Sequence, residues 1–140
     1  MYSSILVPVD LDEPSSWSKA VPAALKLADC FGASVTLTTV VEDGTGRREA
    51  QWSAIGYREL LQNAAARLAS LADQLRGETM VATRVGTGSV YGAILDVAEQ
   101  AGADLIVLAS HRPAMRDWLI GANASRVVRH ARCSVLVVRD

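Results

Sequence analysis

The sequence predicts an α/β fold: a single doubly wound five-stranded parallel sheet, strand order 3-2-1-4-5, with helices on both faces and one domain over residues 1–140. Short apolar runs rich in β-branched residues alternate with segments whose apolar residues recur every three to four positions. This alternation indicates right-handed βαβ crossovers and therefore a parallel sheet. Hydrophobic residues make up 50% of the 140 residues, which is enough for a core of this size.

Five apolar runs are the predicted strands, and the last of them is expected at an edge of the sheet. That last run reads SVLVV and carries neither a charge nor a proline to protect an edge. We therefore expect a homodimer formed through the edge of strand 5, with coverage by the chain's own helices as the alternative. The predicted strands are Ile5–Val9, Val35–Val41, Met80–Val85, Leu105–Ala109 and Ser134–Val138.

Four segments have the spacing of helices that cover such a sheet. In the first, Pro22 lies inside the apolar pattern and predicts a bend or a later helix start, and Gly32 closes the helix. Gly77 ends the second. The predicted helices are the segment that follows Pro14 and closes at Gly32, residues 50–75, Val90–Ala101 and Ser125–Ala131.

Charge is distributed unevenly along the chain. The formal net charge is −1, which argues against a protein that binds duplex nucleic acid through a strong positive field. Residues 105–140, however, carry six arginines against two aspartates. A basic end on a nearly neutral protein indicates a small anion as ligand. The apolar runs are too short to span a bilayer, so we expect a soluble, cytoplasmic protein with no membrane or nucleic-acid partner.

Polar donors gather between the fourth strand and the fourth helix. Ser110, His111 and Arg112 follow the strand directly, and the segment 121–124 precedes the helix. Free backbone N–H groups and the positive end of the helix dipole favour an anion at such a place, so the sequence predicts a phosphate site there. No nucleophile pairs with His111 in a recognisable motif, which favours a packing or phosphate-contact role over catalysis.

The loop after the first strand is acidic rather than glycine-rich. It reads Asp10-Leu11-Asp12-Glu13, and its carboxylates would repel a phosphate. Asp10 would suit the ribose, adenine or metal side of a nucleotide, with a solvated turn residue as the alternative. The glycine-rich segment 86–92 follows the third strand and lacks the dinucleotide fingerprint, so we expect Gly86 and Gly88 to shape a turn and Ser89 to cap the third helix.

The two cysteines, Cys30 and Cys133, lie in periodic apolar segments without metal-ligand spacing. We therefore expect both to be small buried residues in a reducing compartment.

Three blocks of the sequence resemble the universal stress protein family: ILVPVD near the amino end, DLIVLASH before the arginine-containing loop, and the closing GANASRVVRHARCSVLVVR. The resemblance implies ATP, with or without Mg²⁺, as cofactor, held by a glycine motif after strand four. When this motif is aligned with the present sequence, the two glycines of its first half correspond to Ala109 and Arg112. Its third glycine corresponds to Gly121, and its hydroxyl residue to Ala122. Asp10 matches the family aspartate near the adenosine, and Val40 the valine whose backbone meets adenine.

The resemblance therefore implies a stress-response protein that binds ATP or a related adenine nucleotide in the crevice between strands 1 and 4, with little or no turnover. No positioned general base is evident, which argues against fast turnover, so at most slow ATP hydrolysis is expected and enzyme status stays open. The alternative is a dimeric interaction module of the same fold that binds no nucleotide. The candidate contacts are Pro8, Val9, Asp10, Val40, Ala109, Ser110, His111, Arg112, Gly121, Ala122, Asn123 and Ala124.

Overall fold

The sheet contains five parallel strands in the described residues. The structure, a computed structural model, describes residues 1–42, 54–110 and 122–139. The strands are β1 (Ser4–Pro8), β2 (Ser34–Val41), β3 (Val81–Thr87), β4 (Leu105–Ser110) and β5 (Ser134–Arg139). Their spatial order is β3-β2-β1-β4-β5, which confirms the predicted topology. The order reverses beside β1, so β1 and β4 flank the switch point of the sheet.

Helices cover both faces of the sheet. The helices are α1 (Ala20–Phe31), α2 (Ala54–Leu75), α3 (Val90–Gln100) and α4 (Ala122–His130). On one face, α1 and α2 bury the side chains of Ile5, Val7 and Leu37. On the other, α3 and α4 bury those of Leu6 and Ile106. None of the helices in the described ranges is both long and apolar enough to cross a membrane.

The first helix begins later than the sequence predicted from the residues that follow Pro14. Residues Pro14–Ser16 form a short 3-10 helix, and α1 begins only at Ala20. Pro22 thus lies in the first turn of α1, a position that tolerates proline because the helix itself supplies no acceptor for an N–H there. Gly32 ends the helix with φ 67°, which confirms the predicted stop.

The glycine-rich segment after β3 differs from its prediction in two respects. Gly86 lies inside β3 rather than in a turn, and a Cβ there would lie 3.2 Å from both Ala93 Cβ and Val97 Cγ2 of α3. Close packing of α3 on the sheet is therefore the reason for this glycine. Gly88 does form the turn, with φ 109°. Ser89 occupies the N-cap position, but its hydroxyl makes no capping hydrogen bond within the described part of the chain.

The prediction that both cysteines are buried is wrong. Cys30 is exposed near the end of α1, and Cys133 is half-buried before β5; both are free thiols. Burial raises the pKa of the Cys133 thiol above its ordinary value. Helical periodicity identified the segment that holds Cys30, but it could not identify which positions of α1 face away from the sheet.

Candidate functional site

The sheet opens between β1 and β4 at the carboxyl ends of its strands. β1 stays paired with β2 as far as Pro8, which lies opposite Thr38, and β4 stays paired with β5 as far as Ser110. The ladder between β1 and β4 in the described residues ends much earlier, at Leu6 and Ile106. Doubly wound sheets bind ligands in the crevice at such a switch point. The opening lies where the sequence predicted a site.

Five predicted contacts lie at the two strand ends that flank this crevice: Pro8, Val9, Asp10, Ala109 and Ser110. The side chains of Val9 and Ala109 pack into the core beneath α1 and α2, so only their backbone groups could meet a ligand. The N–H of Val9 is already engaged, because it donates to the carbonyl oxygen of Thr38 at 2.8 Å. Asp10 and Ser110 contribute the polar side chains at these two ends.

Asp10 is held in a turn closed by its own neighbours. Its N–H donates to Ser16 Oγ at 2.8 Å, and the Ser16 hydroxyl donates to the Asp10 carbonyl oxygen at 3.1 Å. The N–H of Asp12 donates to Asp10 Oδ1 at 3.0 Å. Ser16 is fully buried and Asp10 is 9% exposed. A short polar side chain that accepts a bond from the amide two residues later stabilises such turns, so this loop presents Asp10 in a defined orientation.

A cleft of about 200 Å³ opens beside Asp10. It lies between the carboxyl end of β2 and the inner face of α2. Val40, one of the candidate contacts, is half-buried and forms part of its β2 wall. The opposite wall comes from Leu60, Asn63 and Ala64 of α2. Apolar walls with a few polar groups are typical of sites that bind small molecules.

The cleft is acidic, and one guanidinium from α2 counters its charge. Asp10, Asp12 and Glu42 line it together with Arg67. Arg67 Nη2 donates to Asp12 Oδ1 at 3.0 Å and to the carbonyl oxygen of Leu11 at 3.2 Å. Among residues 1–42, 54–110 and 122–139, no group of three or more His, Cys, Asp or Glu side chains could hold a metal ion. The acidic residues of the cleft are therefore spread along it rather than gathered at one point.

The amino end of α4 carries the remaining described candidates. Ala122, Asn123 and Ala124 form its first turn, because the helix begins three residues before the predicted Ser125. Asn123 is half-buried, whereas the side chain of Ala124 packs into the core. The first backbone N–H groups of a helix lack intrahelical acceptors and favour an anion. The other three predicted contacts lie outside the described residues: His111, Arg112 and Gly121.

Sequence reasoning missed the polar residues that α2 contributes to the cleft, Asn63 and Arg67. They lie four positions apart and hence on one face of α2. The sequence analysis used only the apolar stripe of α2 and did not consider the polar residues beside it. A pair of polar residues spaced by one turn along the edge of that stripe is the signal that could have identified them.

A larger cavity, of about 400 Å³, lies elsewhere, near the amino ends of β4 and β5. Its described lining includes Leu95, Ile106, His130 and Cys133. None of the predicted contacts that the structure describes lines it. Size alone therefore does not identify the site, and the crevice at the switch point remains the candidate.

Comparison with known proteins identifies relatives along the whole chain. The model of the universal stress protein family matches residues 1–139. Universal stress protein G of Shigella flexneri is 34% identical over 143 residues, which cover 99% of this chain and all of that protein.

Solved structures agree with this relationship. Universal stress protein UspA from Lactobacillus plantarum has a TM-score of 0.75 at 28% identity, covering 99% of this chain and 98% of that one. A universal stress protein in complex with cAMP has a TM-score of 0.65 at 22% identity, over 99% of this chain and 97% of the other. A family protein from Arabidopsis thaliana with AMP bound has a TM-score of 0.62 at 16% identity, over 98% and 91%. At these identities, the last two structures show only that the fold is shared. With a family match along nearly all its length and this fold, the chain belongs to the universal stress protein family.

Proposed function

We propose that the protein binds an adenine nucleotide at the crevice between β1 and β4. The observation that carries this proposal is the early end of the β1–β4 ladder beside the cleft that Asp10 lines. Related structures of the same fold hold cAMP and AMP, which supports an adenine nucleotide over other small anions.

The nucleoside half fits the cleft between β2 and α2. Its apolar walls, which include Val40 and Leu60, can pack against the faces of a purine, and the amide of Asn63 can hydrogen-bond its edge. The Asp10 carboxylate lines the same cleft and can accept a hydrogen bond from a ribose hydroxyl. The backbone carbonyls of Pro8 and Val9 lie at the same strand end.

The phosphates belong on the other side of the crevice, away from the acidic loop. Ser110 ends β4 there, and Asn123 lies in the first turn of α4, whose N–H groups favour negative charge. From the sequence, Arg112 adds a guanidinium and Gly121 allows the backbone to approach closely. These residues fit ATP as well as AMP, and with ATP a Mg²⁺ ion would offset part of the phosphate charge.

Titration calorimetry with AMP and ATP tests the proposal. We expect saturable binding with one site per chain, about tenfold weaker in Arg112→Ala because a charge-assisted phosphate contact is lost. Gly121→Val should abolish binding by filling the space next to the phosphates. Arg84→Ala, on the exposed side of β3, removes the same charge away from the crevice and should bind as the unmodified protein does. Unchanged affinity in both crevice variants would refute the site.

The biological role we propose is that of a nucleotide-loaded state signal in the stress response, acting in the cytoplasm, with hydrolysis slow or absent. The competing role is an interaction module that has lost its ligand. Ala109 and Arg112, which stand where the family motif has glycines, and Ala122, which stands where it has a hydroxyl residue, favour that alternative. Absence of any adenine-nucleotide binding to the unmodified protein would decide for it.

We also propose that two copies pair through the free edge of β5. This strand pairs with β4 on one side over its whole length, from Ser134 to Arg139. Leu136, in the middle of β5, is 39% exposed. The run Ser134–Val138 carries no charge, and Arg139 lies only at the end of the strand. An apolar edge of this kind is a template for another strand, and a symmetric dimer would cover it.

A further inference from the structure

Arg67 joins α2 to the loop that carries Asp10. Its Nη2 donates to the carbonyl oxygen of Leu11 at 3.2 Å and to Asp12 Oδ1 at 3.0 Å. The two acceptors are a backbone atom and a side chain of successive residues, so one guanidinium nitrogen fixes both the path of the loop and the direction of the Asp12 carboxylate. The sequence separation of 55 residues between Arg67 and Asp12 means that this contact fastens two distant segments.

The contact reaches Asp10 through Asp12. The carboxylate of Asp12 meets Arg67, while the N–H of Asp12 donates to Asp10 Oδ1 at 3.0 Å. Asp12 is thus bound at its side chain by α2 and at its backbone by the Asp10 side chain. A displacement of Asp12 would change the orientation of the Asp10 carboxylate, which is 9% exposed and lines the cleft. Ser16 fixes the Asp10 backbone through its hydroxyl.

Charge adds to this mechanical link. Among the described residues that line the cleft, Arg67 supplies the positive charge, whereas Asp10, Asp12 and Glu42 supply carboxylates. Its side chain is 47% exposed and that of Asp12 is 81% exposed, so the ion pair by itself stabilises the fold little. A contact that contributes little to stability and holds a cleft residue in place is better explained by binding than by folding.

We infer that Arg67 is a positioning residue for ribose recognition: through Asp12 it holds the Asp10 carboxylate toward the sugar hydroxyls of a bound nucleotide. This inference rests on the proposed function. The helix α2 then contributes to specificity as well as to the cleft wall, because Arg67 orients the Asp10 carboxylate that distinguishes a ribose from a sugar without hydroxyls.

The test compares AMP with 2′,3′-dideoxy-AMP by titration calorimetry. In Arg67→Gln we expect AMP to bind about tenfold more weakly, the size of one charge-assisted hydrogen bond, while dideoxy-AMP binds as before. Asp12→Asn should lose a similar factor, and the double variant no more than either single one, because both act through one link. Arg67→Lys keeps the charge and a donor, and should recover part of the affinity for AMP.

Arg76→Gln is the matched control. Arg76 follows the end of α2 and lies 3.9 Å from Asp73, so its removal changes the net charge equally without touching the loop. Equal loss of affinity for both ligands in Arg67→Gln would mean that the guanidinium acts by charge alone, and unchanged affinity for both would mean that it does not act at all. Either outcome overturns the inference.

Amide hydrogen exchange separates this inference from the proposed function. In the ligand-free protein, the Asp12 N–H should exchange faster in Arg67→Gln than in Arg76→Gln, because the loop is no longer held. If the unmodified protein binds no adenine nucleotide, the proposed function falls and the ribose role with it, while faster exchange still supports the link. Equal exchange in the two variants would refute the link itself.

Discussion

Asp104 fastens the start of β1 to the start of β4. Its carboxylate accepts hydrogen bonds from the N–H of Ser3 at 2.9 Å, from the Ser3 hydroxyl at 3.0 Å and from the N–H of Ser4 at 3.0 Å. The backbone bonds from Ser4 and Ser3 hold the pKa of this carboxyl below its ordinary value of 3.8. The end of the sheet opposite the crevice is therefore closed by one ionised side chain, while the β1–β4 ladder opens at the other end.

Asp104→Asn should lower the free energy of unfolding by about 1 to 2 kcal/mol near neutral pH, since charged hydrogen bonds are lost from a largely solvated site. Because the folded pKa is depressed, the carboxylate stabilises the fold above the ordinary pKa of 3.8 and this contribution disappears as the pH falls through the folded pKa. Urea unfolding at about pH 7 and about pH 3 measures this, with exposed Asp29→Asn as control. A difference between Asp104→Asn and wild type that stays constant across this range would contradict the account.

Individual residues also mark the limits of what the sequence could predict. The glycine-rich sequence around Gly86 predicted a turn. Glycine is needed there for another reason: Ala93 and Val97 of α3 leave little room for a side chain, and these residues lie close to position 86 only in the folded state. Likewise, nothing in the local sequence relates Arg67 to Asp12. Contacts between distant segments depend on tertiary packing, which local patterns of hydrophobicity do not contain.

At the scale of elements, prediction from the sequence worked best. All five predicted strands and all four predicted helices exist near their predicted positions, because the strands follow short apolar runs rich in β-branched residues and the helices carry apolar residues at a period of 3.6. The errors lie at the ends. β3 runs from Val81 to Thr87 rather than from 80 to 85, and α4 starts three residues early. The second difference matters for the site, since it brings Ala122 and Asn123 into the first turn of a helix.

The edge of β5 carries the element-scale prediction. Leu136→Asp should raise the dissociation constant of the proposed dimer about thirtyfold or more, the equivalent of roughly 2 kcal/mol for losing a central apolar contact and desolvating a charge. Light scattering over a dilution series measures it, and circular dichroism checks that the fold persists. Met80→Asp, at an exposed position beside the opposite edge strand, is the matched control. A monomer-sized particle for the unmodified protein at micromolar concentration would remove the dimer.

At the scale of the whole molecule, topology determines where function can reside. The sequence predicted the strand order, and that order alone directs the carboxyl ends of β1 and β4 to one crevice. The charge pattern of the sequence is divided in a similar way, with three carboxylates in the loop after β1 and six arginines among residues 105–140. The sequence could not predict the shape of the cleft, because α2 forms one wall from residues more than forty positions away from β1.

Resonance assignment followed by titration with AMP tests the central claim most directly, since it reports the place of binding as well as its strength. The account predicts saturable shifts of the backbone amides of Asp10, Val40, Ser110 and Asn123, all at the carboxyl edge of the sheet. Saturable shifts confined to the other cavity, around Leu95, His130 and Cys133, would contradict it, as would the absence of any saturable shift.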